Sequence, residues 1–241
     1  MSVPTDASNL AIRAAEGLLS HSGADAGLRV WLRKRIPSGA GLGGGSADAA
    51  AVLLAGRALL AACELPGGDL SDADLMTLGA TLGADVPFCV AGTGAAWMRG
   101  TGEILEPVEL AAPLPVVVAV PPMSVSTPAV FGAWDELGGP QATRTLPAPA
   151  GLTGFVSELR NDLEPAAEHV AEGLAGFRRH LEEASGLPAL LAGSGSGYAV
   201  FPDDVRSADR LAERLRGVLD ARVFAGATAR TGVRVAPYLP C

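Results

Sequence analysis

Pro37-Ser38-Gly39-Ala40-Gly41-Leu42-Gly43-Gly44-Gly45-Ser46-Ala47-Asp48 is the stretch on which the reading of the fold turns. Five of the seven residues from 39 to 45 are glycine. Lacking Cβ atoms, they accept positive φ and let a ligand come close to the backbone. The Ala/Leu run just after them, residues 46–54, reads as a helix. The first amide hydrogens of such a helix have no partner within it. Together with a macrodipole worth about half a positive charge, they form a natural seat for phosphate. Each glycine costs about 0.5–1 kcal/mol relative to alanine. That cost argues against a loop that merely connects.

Two common phosphate-binding patterns fit poorly. Gly39, Gly41 and Gly44 satisfy G-x-G-x-x-G behind a predicted strand at residues 28–32 (LRVWL). A dinucleotide fold also needs an acidic residue at the end of a second strand about 20 residues on. Glu64 has that spacing but comes after a helical run. A dinucleotide-binding oxidoreductase is therefore the alternative of different chemistry. A Walker A loop is absent, because no Gly-Lys-Ser/Thr occurs.

Outward from the loop, residues 9–19 read as an amphipathic helix. Residues 64–71 form a connection, and Ser71 with Asp74 has the spacing of a capping box opening a helix that ends at Gly83. Asp85 lies between that glycine and a β-favouring Val86-Pro87, a strand is expected at 95–99, and residues 100–102 form a turn. Pro113 and Pro115 mark a boundary ahead of a strand at 116–120, which divides the chain into domains 1–110 and 111–241. A helix begins after Thr127-Pro128, and residues 138–154 are linker-like in their Pro, Ala and Gly content. Asn161 or Asp162 then caps a helix, residues 193–197 form a second glycine loop, and a strand at 198–201 precedes a helix at 207–219. The mixture suggests α/β layers with a cleft between them.

Composition narrows the chemistry. The 241 residues carry a formal net charge of -8, and Arg33-Lys34-Arg35 is the longest basic run. This balance repels nucleic acid and anionic membrane. No apolar run is expected to reach the roughly 20 residues of a membrane span, and the N-terminal sequence has no basic segment ahead of an apolar core. Cys63, Cys89 and Cys241 have no metal-ligand spacing and leave one thiol unpaired in any disulfide scheme, which points to free thiols in a reducing cytoplasm. His21, His169 and His180 are scattered.

On its residues, RIPSGAGLGGGSADAAA (35–51) resembles the ATP-binding motif of the GHMP kinase superfamily, in the form used by the 4-diphosphocytidyl-2-C-methyl-D-erythritol kinase family. Leu82-Gly83-Ala84-Asp85-Val86-Pro87-Phe88 resembles the family's second motif, and LAGSGSG (191–197) its third. PPMSVST (121–127) and Asn161-Asp162-Leu163-Glu164 also look like family segments. The resemblance implies a two-domain α+β fold. Its N-terminal part would be like ribosomal protein S5, its C-terminal part ferredoxin-like, with ATP in the cleft.

The resemblance further implies transfer of the ATP γ-phosphoryl group to the 2-hydroxyl of a cytidine-diphospho-methylerythritol in non-mevalonate isoprenoid synthesis. Pro37, Ser38, Gly39, Ala40, Gly41, Leu42, Gly43, Gly44, Gly45, Ser46 and Ala47 would bind ATP. Ser46 would be a phosphate or Mg²⁺ contact, a helix N-cap or both, and Asp48 a dipole-matching or capping residue of the first turn rather than a catalyst. Asp85 would serve the attacking hydroxyl as the catalytic group. Gly193, Ser194, Gly195 and Ser196 would close over phosphate and substrate, with backbone amides forming an anion nest. Ala192 stands where the family usually has a hydroxyl residue. The family also opens with Pro-Ala-Lys-Ile-Asn-Leu and a Gly-Tyr-His segment, neither of which occurs here. VPTDASNLAIRAA (3–15) resembles the family segment that comes after those two, so the N-terminal domain is expected to be incomplete, with an inactive nucleotide-binding fragment or a related GHMP kinase for another alcohol as the alternatives. Lys34, the sole lysine, takes no role from the missing one.

Overall fold

Asn9 opens the first helix in the computed structural model, which describes residues 3–110, 112–139 and 159–236. Its side chain accepts from the Ala11 amide, and α1 (Leu10–Ser22) runs to a left-handed Gly23. The glycine-rich loop leads into α2 (Gly44–Ala62), which begins two residues before Ser46. Next come α3 (Asp72–Leu82), α4 (Val86–Ala91) and the antiparallel pair β1 (Ala96–Arg99) and β2 (Ile104–Pro107). Ala14, Leu18, Ala49, Ala50, Leu53, Leu60, Leu75, Val86 and Val90 form the core of this first unit. Helix α2 can lie close on α1 because Gly56 has no side chain, and a Cβ there would stand 2.5 Å from a Leu18 methyl.

The capping box of α3 is present as read: Ser71 Oγ accepts from the Asp74 amide, and the Asp74 carboxylate accepts from the Ser71 amide. Both groups stand in solvent, so the local helix start is what they hold. Ser71→Ala should cost about 1 kcal/mol, read as a lowered midpoint of thermal unfolding with no change in nucleotide binding.

Three expectations are corrected in this unit. Residues 28–32 form no strand. Their β-branched and aromatic side chains favour extended backbone, but a strand exists only where a neighbour pairs with it, and none does among the described residues. Trp31 is 81% exposed, under the Arg29 guanidinium at 5.7 Å. Val86-Pro87, read as β-favouring, instead opens α4, because proline is tolerated in a first helical turn where its missing N–H costs nothing. Finally, α2 is by length and hydropathy long and apolar enough to match a membrane span. Its Ala49, Ala50, Leu53 and Leu60 are buried in the core, and it carries Asp48 and Arg57, which pair with Lys34 and Asp72.

The second unit is built on a four-stranded antiparallel sheet of order β4-β5-β3-β6, comprising β3 (Pro115–Val120), β4 (Leu190–Leu191), β5 (Tyr198–Val200) and β6 (Arg222–Ala227). Central β3 pairs with β5 and β6, with Val118 facing Ala199 on one side and Phe224 on the other. Helices α5 (Thr127–Glu136), α6 (Glu164–Val170), α7 (Leu174–Ser185) and α8 (Val205–Arg216) bury Val130, Ala166, Ala167, Leu174, Leu181, Leu211 and Leu215 with the inner face of that sheet. Helix α8 is capped by the Asp204 side chain, which accepts from the Ser207 amide. The N-cap of α6 is Leu163, not Asn161 or Asp162, although Asn161 Oδ1 accepts from the Leu163 amide. Most of the linker-like stretch 138–154 lies outside the described residues. The units interleave in sequence: Gly39–Leu42 packs with the second, and residues 229–236 with the first.

Candidate active site

Gly39, Gly41 and Gly43 all have positive φ, at 77°, 73° and 62°. Gly43 is the N-cap of α2, and no side chain caps that end. The first intrahelical bond is donated by the Ala47 amide to the Gly43 carbonyl at 2.9 Å. The amides of Gly44, Gly45 and Ser46 thus open the helix without a capping partner among the described residues. Ser46 is not the N-cap: it sits inside the first turn, 8% exposed, with its Oγ 4.0 Å from where a Cβ on Gly83 would stand. The first and second motifs therefore meet at this helix end.

Asp85 is the N-cap of α4, exposed, with no hydrogen bond from its side chain to that helix. Its Oδ2 lies 3.6 Å from the place a Cβ on Gly43 would take. One turn further, burial pushes the Cys89 thiol up to about 11, and the Asp85 charge adds to the shift. The structure also brings in a residue that sequence reasoning set aside. Lys34 Nζ lies 3.5 Å from the Cβ position of Gly44 and pairs with Asp48. Asp48 stands beyond the first turn of α2 and serves as the lysine's counter-ion rather than as a match for the helix dipole. Lys34 being the chain's sole lysine, three residues before Pro37, was the available signal. Only the fold shows where its ammonium goes.

Within the second unit, Gly39–Leu42 docks on the third motif. The Ser196 amide donates to the Gly39 carbonyl at 3.2 Å and the Gly197 amide to the Ala40 carbonyl at 3.3 Å. The approach is so close that a Cβ on Gly41 would fall 1.7 Å from the Ala192 oxygen. Gly195 donates to the Ala192 carbonyl, and Ser196, buried, gives its hydroxyl to the Met123 carbonyl at 2.7 Å. The expected nest is thus reduced. The Gly195, Ser196 and Gly197 amides are engaged with protein, and those of Gly193 and Ser194 have no acceptor among the described residues. The Ser194 hydroxyl pairs with that of Thr127 at 2.7 Å.

The dinucleotide alternative loses its remaining support here. Glu64 sits in a turn after α2, with φ 54°, not at a strand end. Nor does any group of three or more His, Cys, Asp or Glu among the described residues stand ready to hold a metal.

An uncapped glycine-lined helix start, an aspartate beside it and an antiparallel α+β second unit define a class. The family described as GHMP kinases N terminal domain matches residues 9–93. The 4-diphosphocytidyl-2-C-methyl-D-erythritol kinase of Thermus thermophilus is 41% identical over 214 residues, covering 88% of this chain and 74% of that protein. A crystal structure of 4-(cytidine 5'-diphospho)-2C-methyl-D-erythritol kinase superposes with a TM-score of 0.74 at 38% identity, covering 97% of this chain and 81% of the other. Homoserine kinase from Cytophaga hutchinsonii, at 17% identity and a TM-score of 0.68, shares the fold. The chain belongs to the 4-diphosphocytidyl-2-C-methyl-D-erythritol kinase family. It has the GHMP kinase fold and is a kinase.

Proposed function

We propose that the protein transfers the γ-phosphoryl group of ATP to the 2-hydroxyl of 4-diphosphocytidyl-2-C-methyl-D-erythritol, in the methylerythritol phosphate route to isoprenoids in the cytoplasm. The observation that carries this reading is the uncapped first turn of α2 with Lys34 on one side and Asp85 beside Gly43, in a chain of this family. On the same reading, residues 1–110 hold the N-terminal kinase domain and 111–241 the C-terminal one, except that residues 39–42 pack with the second unit and 229–236 with the first.

In the reaction, the substrate's 2-oxygen forms a bond to Pγ while the bond from Pγ to the β–γ bridging oxygen breaks. ADP leaves, and the hydroxyl proton passes to Asp85 Oδ2. Little covalent work falls to the protein in phosphoryl transfer; positioning and charge stabilisation dominate. The Gly44, Gly45 and Ser46 amides meet phosphate oxygens, helped by the helix dipole. Residues 37–43 bring the chain to that turn, and within the second unit the Gly193 and Ser194 amides of the third motif, unbonded among the described residues, are free to bind phosphate in their own right. Mg²⁺ takes hard oxygen donors and commonly needs only one or two from protein when phosphates supply others. The Ser46 hydroxyl beside Gly83 fits that role, and the ion would neutralise phosphate charge.

Incubation with ATP, Mg²⁺ and the cytidine-diphospho-methylerythritol should release ADP and yield a new phosphomonoester, monitored by ³¹P NMR, with homoserine as a silent control acceptor. ADP without that phosphomonoester, or transfer to homoserine instead, would overturn the assignment. Lys34→Met should weaken ATP binding by about tenfold or more, since a hydrogen bond to a charged group contributes about 1.5–3 kcal/mol. Isothermal titration would read it, and Lys34→Arg should restore part of the loss.

A further inference from the structure

We infer that Asn161 is a positioning residue for the third glycine motif, and that with Glu164 it satisfies the edge of the sheet as a neighbouring strand would. Strand β4 is two residues long and lies at the edge of its sheet. Leu191 pairs with Tyr198 on one side, and the Ala192 amide bonds the Gly197 carbonyl on that same side. Strand geometry turns the N–H and C=O of Leu191 the other way, to the open edge, where unpaired groups are costly.

Both edge groups are met by side chains of the segment that leads into α6. Asn161 Nδ2 donates to the Leu191 carbonyl at 2.9 Å and to the Gly193 carbonyl at 2.6 Å. Glu164 Oε2 accepts from the Leu191 amide at 3.2 Å. Glu164 is itself held by its surroundings: Arg178 Nε lies 3.5 Å from its other oxygen and 2.6 Å from Glu168. Burial raises the Glu164 carboxyl above its usual range despite the Leu191 amide and Arg178, which act in the other direction.

A loop with Gly193 at φ 53° and Gly195 at φ 91° loses much conformational entropy on ordering. Asn161 grips the carbonyl of Gly193 itself, and that carbonyl shares a peptide plane with the uncommitted amide of Ser194. The side-chain amide therefore sets where that donor points. This rests on the reading that the loop meets nucleotide phosphates.

Asn161→Ser separates the roles, because a serine hydroxyl can still accept from the Leu163 amide but cannot reach two carbonyls. Asn161→Asp is the second variant: it keeps the size and the acceptor and has no hydrogens to donate. In the intact protein, hydrogen exchange at the amides of residues 195–197 should quicken while α6 stays protected. Affinity for ATP should fall about tenfold, the worth of one or two net hydrogen bonds, with AMP affinity unchanged. Loop exchange as slow as in the parent, or ATP and AMP weakened equally, would overturn the inference. A parent protein that binds no ATP with Mg²⁺ would instead bring down the nucleotide reading, with the exchange comparison still deciding whether Asn161 anchors the loop.

Discussion

Gly41→Ala should be among the most damaging single-methyl changes in the chain. A Cβ at this position would lie 1.7 Å from the Ala192 oxygen and 2.7 Å from its carbon, both backbone atoms that no rotamer can move aside. The residue also sits at φ 73°, where an L side chain costs about 1–2 kcal/mol. Overpacking adds about 1–3 kcal/mol. The sum, about 2–5 kcal/mol, corresponds to a drop of about 2–4 °C in midpoint per kcal/mol for a protein of this size. Gly39→Ala is the control, because it has nearly the same φ but nothing within 4 Å of its Cβ position, so only the backbone strain remains. If the two variants melt together, residues 39–42 do not dock on the third motif in solution. The Gly41 variant should also lose ATP affinity, since the Gly39 and Ala40 carbonyls would leave the Ser196 and Gly197 amides.

Asp85→Asn should leave the fold and ATP binding nearly intact and remove most turnover. General-base catalysis by a positioned carboxylate is worth about 10²–10⁴ in rate. The carboxylate makes no capping bond to α4, so its replacement by an amide costs that helix little. The expected pattern is a fall in kcat of about that size, KM for ATP within a few-fold, and an unchanged melting temperature. Cys89 supplies an internal check that the substitution acts where intended. Its thiol is raised first by burial and then by the Asp85 charge, so thiol alkylation against pH should shift slightly to lower pH in the variant. Unchanged turnover would take Asp85 out of the mechanism.

Much of this molecule is readable one segment at a time, where local chemistry decides. Asn9 starts α1, the Ser71/Asp74 box starts α3, and the glycine run leads into a helix, though at Gly44 and not at Ser46, each because a short-range hydrogen bond or a positive φ needs those residue types. The same logic fails where the outcome depends on a distant neighbour. LRVWL has every propensity of a strand and forms none, for want of a pairing partner among the described residues. Ser196, expected to close over phosphate and substrate, is buried with its hydroxyl on the Met123 carbonyl, 73 residues away. Lys34 gives no hint in the sequence of which carboxylate it meets.

Two kinds of information therefore separate. The order and type of the motifs, the left-handed glycines and the capping box of α3 were determined by the sequence alone, because they rest on backbone sterics and bonds spanning a few residues. Which amides of the second glycine loop stay uncommitted, and that Lys34, Ser46 and Asp85 gather at one helix end, only the tertiary structure decided. Those facts depend on contacts between segments tens of residues apart, where small differences in packing choose the partner.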